Sequence, residues 1–122
     1  MRAPIALIIL GLLLAYGCVS PPPADGKDYE EFAKCLTNAS AKMYGAYWCG
    51  HCNNQKSQFG DAWQYVTYVE CALEGQDGQT EPCKEAGVRG YPTWIFADGS
   101  RIEGEAPFEE LSNRTGCALP SN

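Results

Sequence analysis

The sequence predicts an α/β domain, a central mixed β-sheet of about four strands flanked by helices. Three observations point there. β-rich apolar runs alternate with helical patterns in the order α-β-α-β-α-β-β-α, which calls for crossover helices packed on a sheet. Asp98-Gly99 sits between two short strand-like runs, the signal of a tight antiparallel hairpin, so the sheet is mixed. The 122 residues, 45% of them hydrophobic, suffice for one core and one domain.

Taken in order, the chain opens with Arg2 and an uncharged apolar run from Ala3 to Leu14, which reads as an export signal over residues 1–17. The run falls short of the about 20 residues of a membrane span. Counting through Val19 lengthens it toward an uncleaved anchor. Ala15-Tyr16-Gly17-Cys18 resembles the lipobox of bacterial lipoproteins, which makes Cys18 a lipidation candidate and the N-terminus a candidate membrane tether. Residues 18–27, with Pro21-Pro22-Pro23 and Gly26, read as an extended Pro-rich linker because proline cannot propagate a helix. The folded domain is expected over residues 28–122.

Asp28 is placed to cap a first helix, with Glu30 and Glu31 at the positive end of its dipole and Phe32, Cys35 and Leu36 on one face. Ala41 to Tyr47 is predicted as the first strand and Gly50 to about Trp63 as a polar helix. Tyr65 to Cys71 is rich in β-formers and reads as a central strand. A Gly/Gln/Asp loop from Ala72 to Thr80 leads to a short helix over Glu81 to Ala86. Trp94 to Ala97 forms a buried strand and Arg101 to Glu105 returns antiparallel. Pro107 opens a last helix, Phe108 to Thr115, which Gly116 stops. Trp63, Tyr68, Trp94 and Phe96 are assigned to the core.

Composition narrows the function. A formal charge of −6 argues against nucleic acid, whose binding requires a basic face. Seven cysteines in so short a chain suit an oxidising compartment outside the cytoplasm. The chemistry concentrates in Tyr47-Trp48-Cys49-Gly50-His51-Cys52, two thiols two residues apart where a strand hands over to a helix. A helix N-terminus favours an anion at Cys49, and a protonated His51 adds a second positive charge. Stabilising the thiolate stabilises the reduced form, which makes the disulfide a better oxidant. Zinc uses the same spacing, with Cys71 and Cys83 completing four ligands, but zinc explains neither Trp48 nor Tyr91-Pro92-Thr93. Haem attachment needs His directly after the second Cys, where Asn53 stands. Neither metal nor cofactor is expected.

This order of elements, with C-x-x-C at the first strand–helix junction and Pro92 before the third strand, resembles the thioredoxin fold over about Asp28 to Cys117. The stretches from Met43 to Cys49, Tyr68 to Cys71 and Gly87 to Trp94 are similar to the thioredoxin-like domain that accompanies bacterial and plant vitamin K epoxide reductase homologues. That resemblance implies an exposed nucleophile in Cys49, a buried resolving thiol in Cys52 and a cis-proline in Pro92. It further implies a substrate-binding rim of Trp48, Gly50 and Tyr91, where the Tyr91 backbone pairs with an extended substrate segment. The implied partners are cysteine-containing protein substrates and a separate, membrane-bound, quinone-linked thiol oxidoreductase. One departure is plain: thioredoxins keep a buried acid six positions before the first Cys, and here that position is Met43. Proton transfer from Cys52 then falls to water or another group, with Glu70 a candidate.

The remaining cysteines read as framework. A Cys71–Cys83 bridge would close the Ala72 to Pro82 loop, and a Cys35–Cys117 bridge would clamp the two terminal helices. Four cysteines allow three pairings, and a redox relay through Cys71–Cys83 is the alternative role. The function expected is an exported thiol–disulfide oxidase, periplasmic or on the extracytoplasmic face of the membrane. A reductase or isomerase kept reduced by a membrane donor uses the same chemistry in reverse, and a non-catalytic binding domain is the rival class.

Overall fold

The computed structural model describes residue 17 and residues 21–121. The expected export segment, apart from Gly17, lies outside the described residues, as does Cys18. Helix α1 (Glu30–Asn38) buries Phe32, Ala33 and Leu36 and turns Glu31 to solvent, as its periodicity predicts. Its N-cap is Tyr29 and not Asp28, although the Asp28 carboxylate accepts the Glu30 N–H at 2.9 Å. Strand β1 (Lys42–Gly45) runs into helix α2 (Gly50–Phe59), followed by a 3-10 segment (Gly60–Tyr65) and strand β2 (Thr67–Glu70). Helix α3 (Glu81–Glu85), strands β3 (Thr93–Ile95) and β4 (Arg101–Glu103), and helix α4 (Phe108–Thr115) complete the order. Gly116, in the left-handed conformation, ends α4.

The four strands lie in the order β2-β1-β3-β4. β1 pairs parallel with β2, while β3 pairs antiparallel with both β1 and β4. The sheet is therefore mixed, as the Asp98-Gly99 turn requires. β2 corrects the expectation of a central strand: it forms an edge, paired only with β1, and all four of its residues stay partly exposed. Its β-forming side chains suit a pleated surface, and that composition does not say on how many sides a strand is paired.

Helix α2 also ends sooner than its polar pattern suggests. Gly60 takes a φ of 57°, and a Cβ there would stand 2.5 Å from Pro23 Cδ, so the position needs glycine on both counts. Pro23 reaches Gly60 because residues 23–26 form a turn closed by Gly26 N–H to Pro23 C=O, where the sequence suggested an extended run.

Phe59 sits at the centre of the core, its ring 4.6 Å from Phe108, 5.7 Å from Trp63 and 6.3 Å from both Phe32 and Trp94. Each such ring contributes on the order of 2–3 kcal/mol by leaving water. Trp94 and Phe96 are buried, and Trp63 and Tyr68 flank the core partly covered. Disulfides join Cys35 to Cys117 and Cys71 to Cys83. The first ties α1 to the segment after α4, and the second closes the loop between β2 and α3.

The candidate dithiol site

β1 delivers the chain to the carboxyl end of the sheet, and Ala46, Tyr47 and Trp48 turn it into α2. Cys49 is the N-cap of α2, and its Sγ accepts the Cys52 N–H at 3.2 Å. A thiol at this place satisfies one of the backbone donors that every helix start leaves unpaired. Cys52 is fully buried in the first turn of α2, and a Cβ on Gly45 would lie 2.9 Å from its Sγ. Glycine at the end of β1 thus lets the helix seat the second thiol against the strand. Cys49 is 7% exposed, so it is the more accessible of the pair but nearly covered, a correction to the exposed thiol that the resemblance implies. Its role as helix cap draws it into the strand–helix junction, where it joins the main core cluster. Burial, and next the hydrogen bond to Cys49, push the Cys52 thiol up to about 12.

His51 points away from the core, 80% exposed, with Nδ1 2.8 Å from Glu105 Oε2. Asn54 Nδ2 donates to the other oxygen of the same carboxylate. These two contacts, His51 first, hold the Glu105 carboxyl below its ordinary range. Gly50 is exposed, with open space where a side chain would be. Trp48 is 62% exposed and meets Tyr91 edge-on at 5.9 Å, and the Tyr91 hydroxyl accepts a hydrogen bond from Gln79 Nε2 at 2.7 Å. The Tyr91–Pro92 peptide is cis. Because Tyr44 faces Thr93 across β1 and β3, Pro92 falls beside the end of β1, where the dithiol segment starts. Met43 is buried in the core, and Glu70 accepts the Ala72 N–H at 3.2 Å.

Of the site residues predicted from sequence, the fold brings together Cys49, Cys52, Gly50, His51, Trp48, Tyr91 and Pro92. It sets Cys71–Cys83 in a separate small cluster with Val88, which Tyr91 packs against. Cys71 and Cys83, required by a four-cysteine zinc site, are bonded to each other. Sequence reasoning missed Glu105, Asn54 and Gln55. Nothing local links Glu105 to a histidine 54 positions away. Gln55 did carry a signal: Cys52, Gln55 and Phe59 share one helical face, and all three are buried.

Residues 27–114 match the family model described as Thioredoxin. Thiol-disulfide oxidoreductase LTO1 of Arabidopsis thaliana is 34% identical over 134 aligned positions that take in 93% of this chain. The chain spans 35% of the length of that relative. The mixed sheet flanked by helices, the C-x-x-C pair heading α2 and the cis proline before β3 agree with the match, and this chain belongs to the thioredoxin family.

Proposed function

We propose that this chain is a thiol–disulfide oxidoreductase that works as an exported oxidase, donating a Cys49–Cys52 disulfide to cysteine-containing proteins. The observation that carries the reading is the distribution of thiols. Among the described residues Cys49 and Cys52 are free and stand at the start of α2, while the other four cysteines are joined in disulfides. A substrate thiolate attacks Cys49 Sγ, the S–S bond breaks, and its electron pair leaves on Cys52 Sγ. A second substrate thiolate then attacks the substrate sulfur of the mixed disulfide and releases Cys49 as thiolate. The substrate loses two electrons and the pair gains them. His51 tunes the pair, Pro92 borders it, and Trp48, Gly50 and Tyr91 offer the substrate an exposed aromatic rim and an open backbone.

Two framework disulfides persist best where the surroundings are oxidising, which supports a place on the extracytoplasmic face of a membrane. The apolar N-terminus serves there as signal or tether, with Cys18 as the lipidation candidate. Re-oxidation falls to a quinone-linked membrane partner of the vitamin K epoxide reductase type, supported by the similarity over Met43 to Cys49, Tyr68 to Cys71 and Gly87 to Trp94.

C-G-H-C is the tetrapeptide of protein disulfide isomerase, whose potential is about −180 mV against about −270 mV for thioredoxin. That gap of about 90 mV, roughly 4 kcal/mol in a two-electron couple, separates donors from acceptors of disulfides. A glutathione titration of the Cys49/Cys52 pair is the test. The oxidase reading expects a potential above about −230 mV. A value near that of thioredoxin, with efficient reduction of insulin, reverses the direction to reductase.

A further inference from the structure

Tyr68 has a property that a core tyrosine rarely has. Its Oη is buried and makes no hydrogen bond of ordinary length among the described residues, with the Glu70 carboxylate near enough to act on it. Buried hydroxyls are nearly always paired, so one held by no ordinary hydrogen bond is free to turn to an acceptor that becomes charged in another state of the site. Two observations place that acceptor. First, Tyr68 is in register with Met43 on the adjacent parallel strand, so both side chains rise from the same face of the sheet. Second, the position a Gly45 Cβ would occupy is 2.9 Å from Cys52 Sγ and 3.3 Å from Tyr68 Oη, so sulfur and hydroxyl border one small space. Position 43 is where thioredoxins keep the buried acid that serves the second thiol. Here an apolar methionine fills it, and a hydroxyl stands on the neighbouring strand.

We propose that the Tyr68 hydroxyl donates a hydrogen bond to Cys52 Sγ whenever that sulfur carries charge. This rests on the reading of Cys49–Cys52 as the reacting pair. When a substrate thiolate attacks Cys49, the electron pair of the broken S–S bond arrives on Cys52, and Tyr68 is the donor waiting there. In the reverse step Cys52 attacks Cys49 in the mixed disulfide, the substrate thiolate leaves, and the same bond holds Cys52 as it ionises. No proton changes hands at Tyr68. Its phenol is pushed upward, by burial first and by the charge of the Glu70 carboxylate next, with Cys52 and Glu70 as a competing acceptor adding to the effect, so it remains a donor throughout. Lys56, with Nζ 3.9 Å above the Tyr68 ring, adds a positive charge on the same side and draws the Cys52 thiol down against its burial.

The experiment is Tyr68→Phe in the full chain, with reduced glutathione as the attacking thiol. Phenylalanine keeps the ring packing against Trp63 and Lys56 and removes only the hydroxyl. The melting temperature of the reduced protein should therefore change little, since the hydroxyl makes no hydrogen bond of ordinary length there. Attack of glutathione on the oxidised pair should slow by about ten- to a hundredfold, the span of one hydrogen bond to a charged acceptor. In a Cys52→Ala background, Tyr68→Phe should leave the reaction of Cys49 with an aromatic disulfide within about twofold, which a general loosening of the site would not do. Glutathione attack within about twofold of the parent overturns the role of Tyr68, as does equal slowing in the Cys52→Ala background. A parent disulfide inert to glutathione overturns the exchange chemistry itself, which is a different result.

Discussion

Replacing Gln55 by leucine keeps most of the bulk of a fully buried side chain and deletes its polar end. The amide joins three parts of the fold. Its Oε1 accepts the Trp94 indole N–H of β3 at 3.1 Å and the Ala106 backbone N–H at 2.6 Å. Its Nε2 donates to the Ala106 carbonyl and to Gln58 Oε1, both at 3.1 Å. Leucine leaves the Trp94 and Ala106 N–H groups buried without an acceptor, at about 1–3 kcal/mol each. The orphaned carbonyl adds less, and the apolar replacement returns about 1 kcal/mol. The net loss expected is about 3 kcal/mol, out of roughly 5–15 kcal/mol for a whole domain. Urea unfolding of the oxidised protein followed by circular dichroism reads it directly, as a lower midpoint at unchanged slope. Gln55→Glu is the matched control, since a protonated acid keeps the carbonyl oxygen that accepts both N–H groups and offers one donor. Burial raises its folded pKa, so the control is closest to the parent at low pH and loses stability as pH rises above about 4.3, the unfolded value. A cost below about 1 kcal/mol for leucine would refute the reasoning, because it would mean that the two donors find other acceptors.

Three further outcomes follow from the same structure. Removing the Cys35–Cys117 bridge, with its separation of 82 residues, should cost about 4–5 kcal/mol in the chain-entropy model, against about 3 kcal/mol for Cys71–Cys83 with a separation of 12. Urea midpoints of the two double-alanine variants rank them, and the opposite order would count against loop closure as the source of stability. Cys52→Ala should accumulate mixed disulfides through Cys49 on non-reducing gels and Cys49→Ser should form none; adducts on Cys52 would exchange the two roles. The Cys52 thiol, at about 12 when folded against about 8.5 for an unfolded thiol, binds its proton more tightly in the native state. The stability this gives the reduced protein is complete below about pH 8.5 and is lost as pH rises through the folded value. Reduced and oxidised forms compared by urea unfolding should therefore diverge by about 1–2 kcal/mol between about pH 7 and pH 10, the reduced form falling faster. Parallel curves would show that Cys52 ionises as easily in the fold as out of it.

Much of the architecture was legible because its signals are local. Asp98-Gly99 turns a hairpin by its own backbone preferences, and Pro107 and Gly116 bracket α4 for the same reason. The C-x-x-C pair shows itself because two thiols at that spacing on the first turn of a helix are neighbours whatever surrounds them. The sequence did not say that β2 would lie at the sheet edge, since β-propensity describes a surface and the choice of partner strand is made by the crossover. It did not say that His51 would be held by Glu105, or that Gln55 would bind Trp94 and Ala106 across 39 and 51 positions. Nor did it show that the hydroxyl of Tyr68 and the sulfur of Cys52 would border one small space. A turn or a cap is decided by the few residues that form it. A buried polar group is decided by which distant donors and acceptors packing leaves within about 3 Å, and only the folded chain brings those together.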